Sequence, residues 1–230
     1  MSNLKIAVQK SGRLHQDSMQ LLKDIGISIN NGKDQLKASA QNFPLEIFYL
    51  RNGDIPQYLK DGVVDAEFIG ENVLAEKATD ILKLEKLGFS KCRVSIAIPK
   101  GVSYENVSDL EGKQIATSYP NTVNRFLEEN NINASIHVIN GSVEIAPNIG
   151  LADAIVDIVS SGSTLFKNNL TEKNVILTSE AVLSVSPKIS DSKQELLNTL
   201  RFRIRSVLKG RQSKYILLNA PDDKLNDIIK

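Results

Sequence analysis

Several residue types are nearly missing from this sequence of 230 residues. It has no tryptophan, a single cysteine at Cys92, and two histidines at His15 and His137. One cysteine cannot form an internal disulfide, and so few sulfur and imidazole ligands argue against a Cys/His zinc site. No stretch approaches the roughly 18 unbroken apolar residues of a membrane helix. The N-terminus has no long apolar signal region, so we expect a soluble, cytoplasmic protein with no membrane partner.

A charge excess is missing as well. The chain carries 28 basic and 27 acidic residues, which gives a formal net charge of +1. No broad electrostatic field therefore favours nucleic acid or an anionic membrane surface. The hydrophobic content of 41% and charged content of 24% are ordinary for a globular protein. An anionic ligand would have to be held by local geometry.

Segments with strand and helix patterns alternate along the chain. Residues 4–8 have the pattern of a strand, and residues 14–25 have the apolar spacing of an amphipathic helix that ends at Gly26. Further strand patterns lie at residues 45–50, 63–69, 94–99, 114–117 and 135–139, with helix patterns at 55–60 and 121–130. This alternation predicts an α/β fold with mostly parallel sheets.

One segment is echoed later in the chain. DIPQYLKDGVVDAEFIG begins at Asp54 and EIAPNIGLADAIVDIVSSG begins at Glu144, and each has a glycine, Gly62 or Gly150, placed to end a short helix. Unless the echo is a chance similarity, it predicts two similar lobes with a central cleft. We expect lobe I to comprise residues 1–98 and 177–212, and lobe II residues 99–176. Residues 213–230 would begin a further, incomplete C-terminal unit.

The stretch DAIVDIVSSGSTL at residues 153–165 has the most distinctive chemistry. A buried strand carrying Asp153 and Asp157 runs into a loop of small and hydroxylated residues: Ser160, Ser161, Gly162, Ser163 and Thr164. Such a loop before a helix can present backbone N–H groups and hydroxyls to an anion. The two carboxylates, on one face of the strand, could accept hydrogen bonds from sugar hydroxyls. The stretch therefore favours a ribose 5-phosphate site, with a capped helix and two solvated aspartates as the alternative.

Two more polar clusters follow predicted strands. Residues 10–13 place Lys10, Ser11, Gly12 and Arg13 in a turn before a helix, where the two cations could grip a phosphate. An ordinary surface turn is the alternative. Residues 51–54, with Arg51 and Asp54 at their ends, form the other cluster. The sequence has no Walker-type phosphate loop and no evident nucleophile, which favours a reaction that needs positioning and charge stabilisation.

Motifs along nearly the whole chain resemble those of the ATP phosphoribosyltransferase family, which opens histidine biosynthesis. The clearest part is the stretch from Glu144 to Leu165. The other matching motifs are QKSGRL (9–14), RNGDIP (51–56), DGVVD (61–65), GENVL (70–74), LGFSKCR (87–93), IATSYP (115–120), GSVEIAP (141–147) and SKYILLNAP (213–221). The resemblance implies a two-lobed fold like that of type II periplasmic binding proteins.

The resemblance also implies a reaction. N1 of ATP would displace pyrophosphate from C1 of phosphoribosyl pyrophosphate (PRPP), with inversion and with Mg²⁺ bound. Residues 160–164 would cradle the 5-phosphate, while Asp153 and Asp157 would serve the ribose and the metal. The residues expected to stabilise polyphosphate charge are Lys10, Arg13 and Arg51. Glu144 and Tyr119 would line the same cleft.

Two positions depart from the family pattern. Gln35 stands where many members have an arginine associated with the leaving group, with Lys33 close by. Glu67 stands where the family has glycine, and we expect it to narrow or recharge the edge of the cleft.

The C-terminal motif resembles the long form of the family, and the chain ends where a regulatory domain would continue. We therefore expect a core without most of that domain, assembled as a homo-oligomer: at least a dimer, and a hexamer in full-length long forms. The alternatives are a catalytically weak paralogue or a nucleotide-binding regulatory module of the same fold. Solute receptors and regulators share this fold, but the sequence has neither an export signal nor a DNA-binding helix-turn-helix.

Overall fold

The computed structural model describes residues 2–30, 36–77 and 81–214, together with residues 216, 217 and 219. Its strands are β1 (Leu4–Gln9), β2 (Lys37–Ser39), β3 (Leu45–Leu50), β4 (Ala66–Gly70), β5 (Leu82–Lys86), β6 (Cys92–Pro99), β7 (Gln114–Thr117), β8 (Ser135–Val138), β9 (Ala154–Val159), β10 (Leu170–Ser179) and β11 (Ala181–Val185). Its α-helices are α1 (Arg13–Asp24), α2 (Ile55–Lys60), α3 (Glu71–Lys77), α4 (Pro120–Glu129), α5 (Ser163–Lys167) and α6 (Asp191–Arg211). Short 3₁₀ helices lie at Val107–Leu110, Val143–Ile145 and Pro147–Ile149. None of the helices in these described ranges is long and apolar enough to cross a membrane.

The strands form two sheets. The first has the order β2-β3-β1-β4-β11-β5, and the second has the order β10-β6-β9-β7-β8. The α/β prediction is confirmed, but both sheets are mixed rather than mostly parallel. β1 pairs in parallel with β3 and β4, whereas β11 pairs antiparallel with β4 and β5. A buried apolar run indicates that a segment is a strand, but it does not indicate the direction in which the strand pairs. The sequence therefore did not predict the antiparallel pairs.

The chain crosses between the sheets twice. β5 of the first sheet ends at Lys86 and β6 of the second begins at Cys92, while only Glu180 separates β10 from β11. The predicted lobe boundaries at residues 98 and 177 therefore need correction, because all of β6 and β10 belongs to the second sheet. We use lobe I for residues up to 86 and from 181, and lobe II for residues 92–179. The unit predicted at residues 213–230 lies almost entirely outside the described residues.

Each lobe covers both faces of its sheet with apolar side chains. In β1, Ile6 and Val8 belong to a core that includes residues of α1 and α6, whereas Ala7 belongs to a second core with residues of α2 and α3. Lobe II is built in the same way, with Val156 of β9 in one core and Ile155 in the other. Alternate residues of a strand point to opposite faces, so each central strand must be apolar on both sides.

Local signals for helix ends had mixed outcomes. Gly62 and Gly150 both have a φ of 74°, as the echo predicts for residues that end short helices. Ser192 and Glu195 have the spacing of a capping box and so predict an N-cap at Ser192, but this prediction is wrong, because α6 already begins at Asp191. Ser190, with extended backbone, occupies the N-cap position instead.

Candidate active site

A cavity of about 630 Å³ lies between the two lobes. Its walls gather around the carboxyl ends of strands in both sheets, since Gln9 and Gly70 end β1 and β4 while Val159 ends β9. Ligands of α/β proteins bind at this edge because loops, rather than strand backbones, can be shaped there. The cleft predicted from the internal echo is thus present as a cavity.

The loop after β9 forms one wall of the cavity. Its residues on the wall are Ser160, Ser161, Gly162 and Thr164. Gly162 has a φ of 79°, a left-handed conformation that suits glycine, and precedes α5 without a side chain to cap the helix. Ser163, the first residue of α5, does not line the cavity; its N–H and hydroxyl contact the Ser161 hydroxyl at 3.4 and 3.1 Å. The loop therefore presents hydroxyls and uncapped backbone N–H groups, which are donors suited to an oxyanion.

Asp157 places a carboxylate beside this loop. Its side chain lines the cavity and accepts a hydrogen bond from the Ser118 hydroxyl at 3.1 Å. Burial raises the pKa of Asp157, and the nearby carboxylate of Glu144, another residue of the wall, adds to the increase. A half-buried carboxylate with one donor can still accept hydrogen bonds from hydroxyl groups of a ligand.

Arg13 reaches the loop from the opposite lobe. Its Nη1 donates to Ser160 Oγ at 3.0 Å, which joins the start of α1 to the end of β9 across the cavity. The other residues predicted on the lobe I side are exposed and do not line the cavity; they are Lys10, Ser11, Gly12, Arg51 and Asp54. Of the three predicted catalytic cations, Lys10, Arg13 and Arg51, only Arg13 lines the cavity.

Asp153 must be removed from the predicted site. It shares a strand face with Asp157, but four residues of strand separate them by about 13 Å. Asp153 lies before β9, where its Oδ2 accepts a hydrogen bond from the Gln114 N–H at 2.9 Å. It lines a different cavity, of about 520 Å³, at the other end of the strand. A shared strand face does not bring two residues together when they lie this far apart along the strand, so Asp153 cannot share a metal or a ribose with Asp157.

Tyr119 lines the cavity, as predicted, and is held by a residue that we did not predict. Asn72, near the start of α3, donates from Nδ2 to the Tyr119 hydroxyl at 2.9 Å. Asn72 is itself fixed by two hydrogen bonds of 2.9 Å with Ser179. Burial raises the pKa of Tyr119 to about 12, so its hydroxyl remains a neutral donor toward the cavity. Asn72 belongs to the motif GENVL, which was the only sequence signal for it.

Other polar residues line the cavity but were not predicted from the sequence. Gln9 and Asn52 extend it on lobe I, while Ser90, Lys91 and Cys92 extend it at the crossing between the lobes. Burial raises the pKa of the Cys92 thiol, which keeps it protonated and agrees with the expectation that it is unreactive. His15 is structural, since its Nδ1–H donates to the Gln9 carbonyl at 2.8 Å and its ring contacts Tyr49.

The two departures from the family pattern have different outcomes. Gln35 and Lys33 lie outside the described residues. Glu67 is fully buried in β4 and does not line the cavity, so the expectation that it narrows or recharges the cleft is wrong. It faces the core rather than the cleft, beside its strand neighbours Ala7 and Ser184.

Known proteins resemble this chain in sequence and in fold. The chain is 51% identical over 225 residues to an ATP phosphoribosyltransferase of Cytophaga hutchinsonii, covering 98% of this chain and 79% of the relative. It is 51% identical over 227 residues to an ATP phosphoribosyltransferase of Parabacteroides distasonis, covering 99% and 80%. Among solved structures, the ATP phosphoribosyl transferase (HisG:HisZ) complex of Thermotoga maritima matches with a TM-score of 0.78 and 32% identity, over 91% of this chain and 100% of that one.

More distant neighbours share only the fold. An L-arginine-bound protein, Tv2483, has a TM-score of 0.62 at 14% identity over 91% of this chain and 86% of its own. The substrate-binding protein of an amino acid ABC transporter has a TM-score of 0.59 at 14% identity, over 91% and 94%. The predicted two-lobed fold of periplasmic-binding-protein type is thereby confirmed.

A family description also matches the chain itself. The family HisG: ATP phosphoribosyltransferase matches residues 51–206, which contain β9 and the loop after it. The chain therefore belongs to the ATP phosphoribosyltransferase family, the pentosyltransferases of histidine biosynthesis.

Proposed function

We propose that the protein binds PRPP and ATP together in the cavity between the lobes. It would then catalyse formation of a bond between C1 of the ribose and N1 of the adenine. The observation that carries this proposal is the contact between Arg13 and Ser160. It places a guanidinium from one lobe against an oxyanion-binding loop of the other. A reaction that transfers a phosphorylated sugar and releases pyrophosphate needs anion sites on both sides of the reacting carbon.

PRPP would bind mainly to lobe II. The 5-phosphate would accept hydrogen bonds from the loop at residues 160–164, all of which except Ser163 line the cavity. The hydroxyls of the ribose would donate to the carboxylates of Asp157 and Glu144, which lie on the same wall. Since a hydroxyl can donate to a carboxylate at short range, these two acids would orient the sugar.

ATP and the leaving group would bind toward lobe I. Gln9 and Asn52 provide amide groups there, and Lys91 provides an ammonium group at the crossing between the lobes. Arg13 provides a charged fork at the boundary between the two substrates. The lone pair of N1 forms the new bond to C1 while the C1–O bond breaks, and its electrons leave with pyrophosphate. Arg13 would stabilise the charge that develops on the departing oxygens. Lys10 and Arg51 remain candidates for more distant contacts with polyphosphate.

Mg²⁺ is part of the proposal, held mainly by the phosphates of the substrates. Among the described residues, no cluster of three or more histidine, cysteine or acidic side chains could hold a metal ion alone. Asp157 and Glu144 nevertheless offer two carboxylates, which fits a magnesium ion that keeps water and substrate oxygens as its other ligands. Bound in this way, Mg²⁺ would supply positive charge that neutralises the pyrophosphate.

The proposal is tested by the products of the purified protein. With ATP, PRPP and Mg²⁺ we expect pyrophosphate release and a nucleotide with the mass of N1-(5-phosphoribosyl)-ATP, and neither when one substrate is omitted. Pyrophosphate released from PRPP without ATP would indicate hydrolysis instead. Binding of both substrates without any product would favour the binding-module alternative and contradict the proposed transferase activity.

We also propose that the chain assembles into a homo-oligomer in the cytoplasm. The related structure from Thermotoga maritima is a complex of two kinds of chain, which supports assembly within the family. Light scattering after gel filtration should give a mass at least twice the 25.3 kDa of one chain. A mass of one chain at micromolar concentration would contradict the proposed oligomer but would leave the proposed transferase reaction unaffected.

A further inference from the structure

Arg93 contacts the anion-binding loop from behind, outside the residues that line the cavity. Its Nε and Nη2 donate to the two carboxylate oxygens of Glu172, and its Nη1 donates to the Ser160 carbonyl at 3.1 Å. The guanidinium thus uses all three of its nitrogens at once, in the planar fork geometry that lysine cannot reproduce.

The sheet explains why Arg93 reaches this carbonyl. β6 lies between β9 and β10, and Arg93 on β6 is the register partner of Val159, the last residue of β9. Ser160 follows directly. Glu172 comes from β10, the other neighbour of β6, so the ion pair joins β6 to β10 and holds the guanidinium in place. Its charge is compensated by Glu172, which makes Arg93 a poor general attractor for phosphate.

The contact fixes the direction of the first peptide group of the loop. In a trans peptide the C=O and N–H groups point in opposite directions, and no cis peptide occurs among the described residues. When Arg93 holds the carbonyl of Ser160 toward the sheet, the N–H of Ser161 is directed away from it. Ser160 is then held at two points, since Arg13 binds its hydroxyl from lobe I.

We propose that Arg93, locked by Glu172, is a positioning residue that orients the Ser161 N–H and so sets the affinity of the loop for the 5-phosphate of PRPP. The inference rests on the proposed function, because it assigns that phosphate to residues 160–164. Arg93 acts through the peptide group and touches neither substrate.

The test compares PRPP binding by calorimetry, with Mg²⁺ present, and the KM for each substrate in matched variants. Arg93→Gln removes the fork, and we expect PRPP to bind about ten- to hundredfold more weakly, the usual effect of a lost hydrogen bond to a charged group. The KM for ATP should stay within about twofold, because the ATP side of the cavity lies on the other lobe. Arg93→Lys keeps the charge and should recover only a small part of the loss.

The variant Glu172→Gln distinguishes a positioning role of Arg93 from a direct attraction between its charge and the phosphate. If Arg93 positions the peptide, loosening its partner weakens PRPP binding in the same direction as Arg93→Gln. If Arg93 only attracts phosphate, freeing its charge tightens PRPP binding, and that result would overturn the inference. Arg201→Gln is the matched control, since Arg201 pairs with Glu85 through Nε and Nη2 on lobe I, away from the cavity. It should leave PRPP binding unchanged.

The remaining outcomes are also decisive. PRPP binding by Arg93→Gln that equals wild type would overturn the inference and leave the proposed function intact. A parallel rise in KM for both substrates, with a lowered melting temperature, would show a structural role instead and overturn it as well. Absence of PRPP binding in the wild-type protein would remove the proposed function, and with it the inference.

Discussion

Glu67 is the residue whose environment departs furthest from what its chemistry favours. It is 0% exposed, neither carboxyl oxygen has a hydrogen-bond partner among the described residues, and burial raises its pKa to about 8. An isolated carboxylate in an apolar core is costly, so the group stays protonated at neutral pH. The sequence could not place it, because every residue from Ala66 to Ile69 in β4 is buried and no alternation marks its face.

Glu67 should make stability fall as pH rises. The unfolded carboxyl loses its proton near its usual pKa of 4.5, whereas the folded one keeps it to about 8. Between these values the folded state holds one more proton, so the free energy of unfolding decreases with pH, by on the order of 5 kcal/mol in total. Glu67→Gln cannot ionise and should lose this slope, becoming more stable than wild type at pH 8.5.

Urea unfolding at pH 5 and pH 8.5 measures this difference. Glu46→Gln serves as the control, since Glu46 lies in the same sheet but is partly exposed and paired with Lys37. It should keep the wild-type pH slope. An equal slope in wild type and Glu67→Gln would show that Glu67 does not titrate in this range.

Arg13 carries the second prediction at the scale of a residue. Arg13→Lys keeps a charge but not the fork that reaches Ser160 and, in the proposed mechanism, would reach the leaving group, and we expect kcat to fall about a hundredfold. Lys23→Gln removes an exposed cation from the last turn of the same helix and should change kcat less than threefold. Steady-state kinetics with saturating ATP and PRPP gives both values. Comparable activity of Arg13→Lys and wild type would remove Arg13 from the proposed mechanism.

At the scale of the element, α4 depends on a residue of the other lobe for its N-terminus. Its N-cap residue, Tyr119, makes no side-chain capping bond. Glu76 of α3 replaces that cap: its carboxylate accepts from the N–H groups of Asn121 and Thr122 at 3.0 and 2.9 Å, and from the Thr122 hydroxyl at 2.8 Å. A carboxylate at a helix N-terminus also interacts favourably with the helix dipole.

Removing that cap should therefore cost more than removing a surface acid. We expect Glu76→Ala to lower the free energy of unfolding by about 2–3 kcal/mol, since it leaves the buried N–H and hydroxyl of Thr122 without an acceptor. Glu71→Ala, which removes a partly exposed acid from the first turn of α3, should cost less than about 1 kcal/mol. Chemical denaturation of both variants at pH 7 compares them. Equal losses of unfolding free energy in the two variants would mean that the capping contact stabilises the protein no more than a surface acid does.

The sequence predicted the individual helices and strands better than it predicted which of them contact one another. β1, α1 and the loop after β9 were found because strand, turn and helix signals lie within a few residues of one another. The assignment of β6 and of the last three residues of β10 to lobe II was missed, since pairing joins residues far apart in sequence and an apolar strand has no mark of its sheet. Glu76 and Asn72 were missed for the same reason.

At the scale of the whole molecule, two kinds of contact join the lobes. Arg13 meets Ser160 at the cavity, while at a second junction Asn72 meets Tyr119 and Ser179, and α3 meets α4. The internal echo predicted the two lobes and the cleft, and the motifs placed Asp157, Glu144 and residues 160–164 near one another. Distance along a strand, which motifs do not encode, separates Asp153 from that group.

The most direct test of the account is therefore the affinity for PRPP of variants at the two ends of β9. Calorimetry with Mg²⁺ should show that Asp157→Asn binds PRPP at least about tenfold more weakly than wild type, because its carboxylate would orient the ribose. Asp153→Asn should bind within about threefold of wild type. Loss of binding in Asp153→Asn, or full binding in Asp157→Asn, would contradict the assignment of the phosphoribosyl site to the cleft between the lobes.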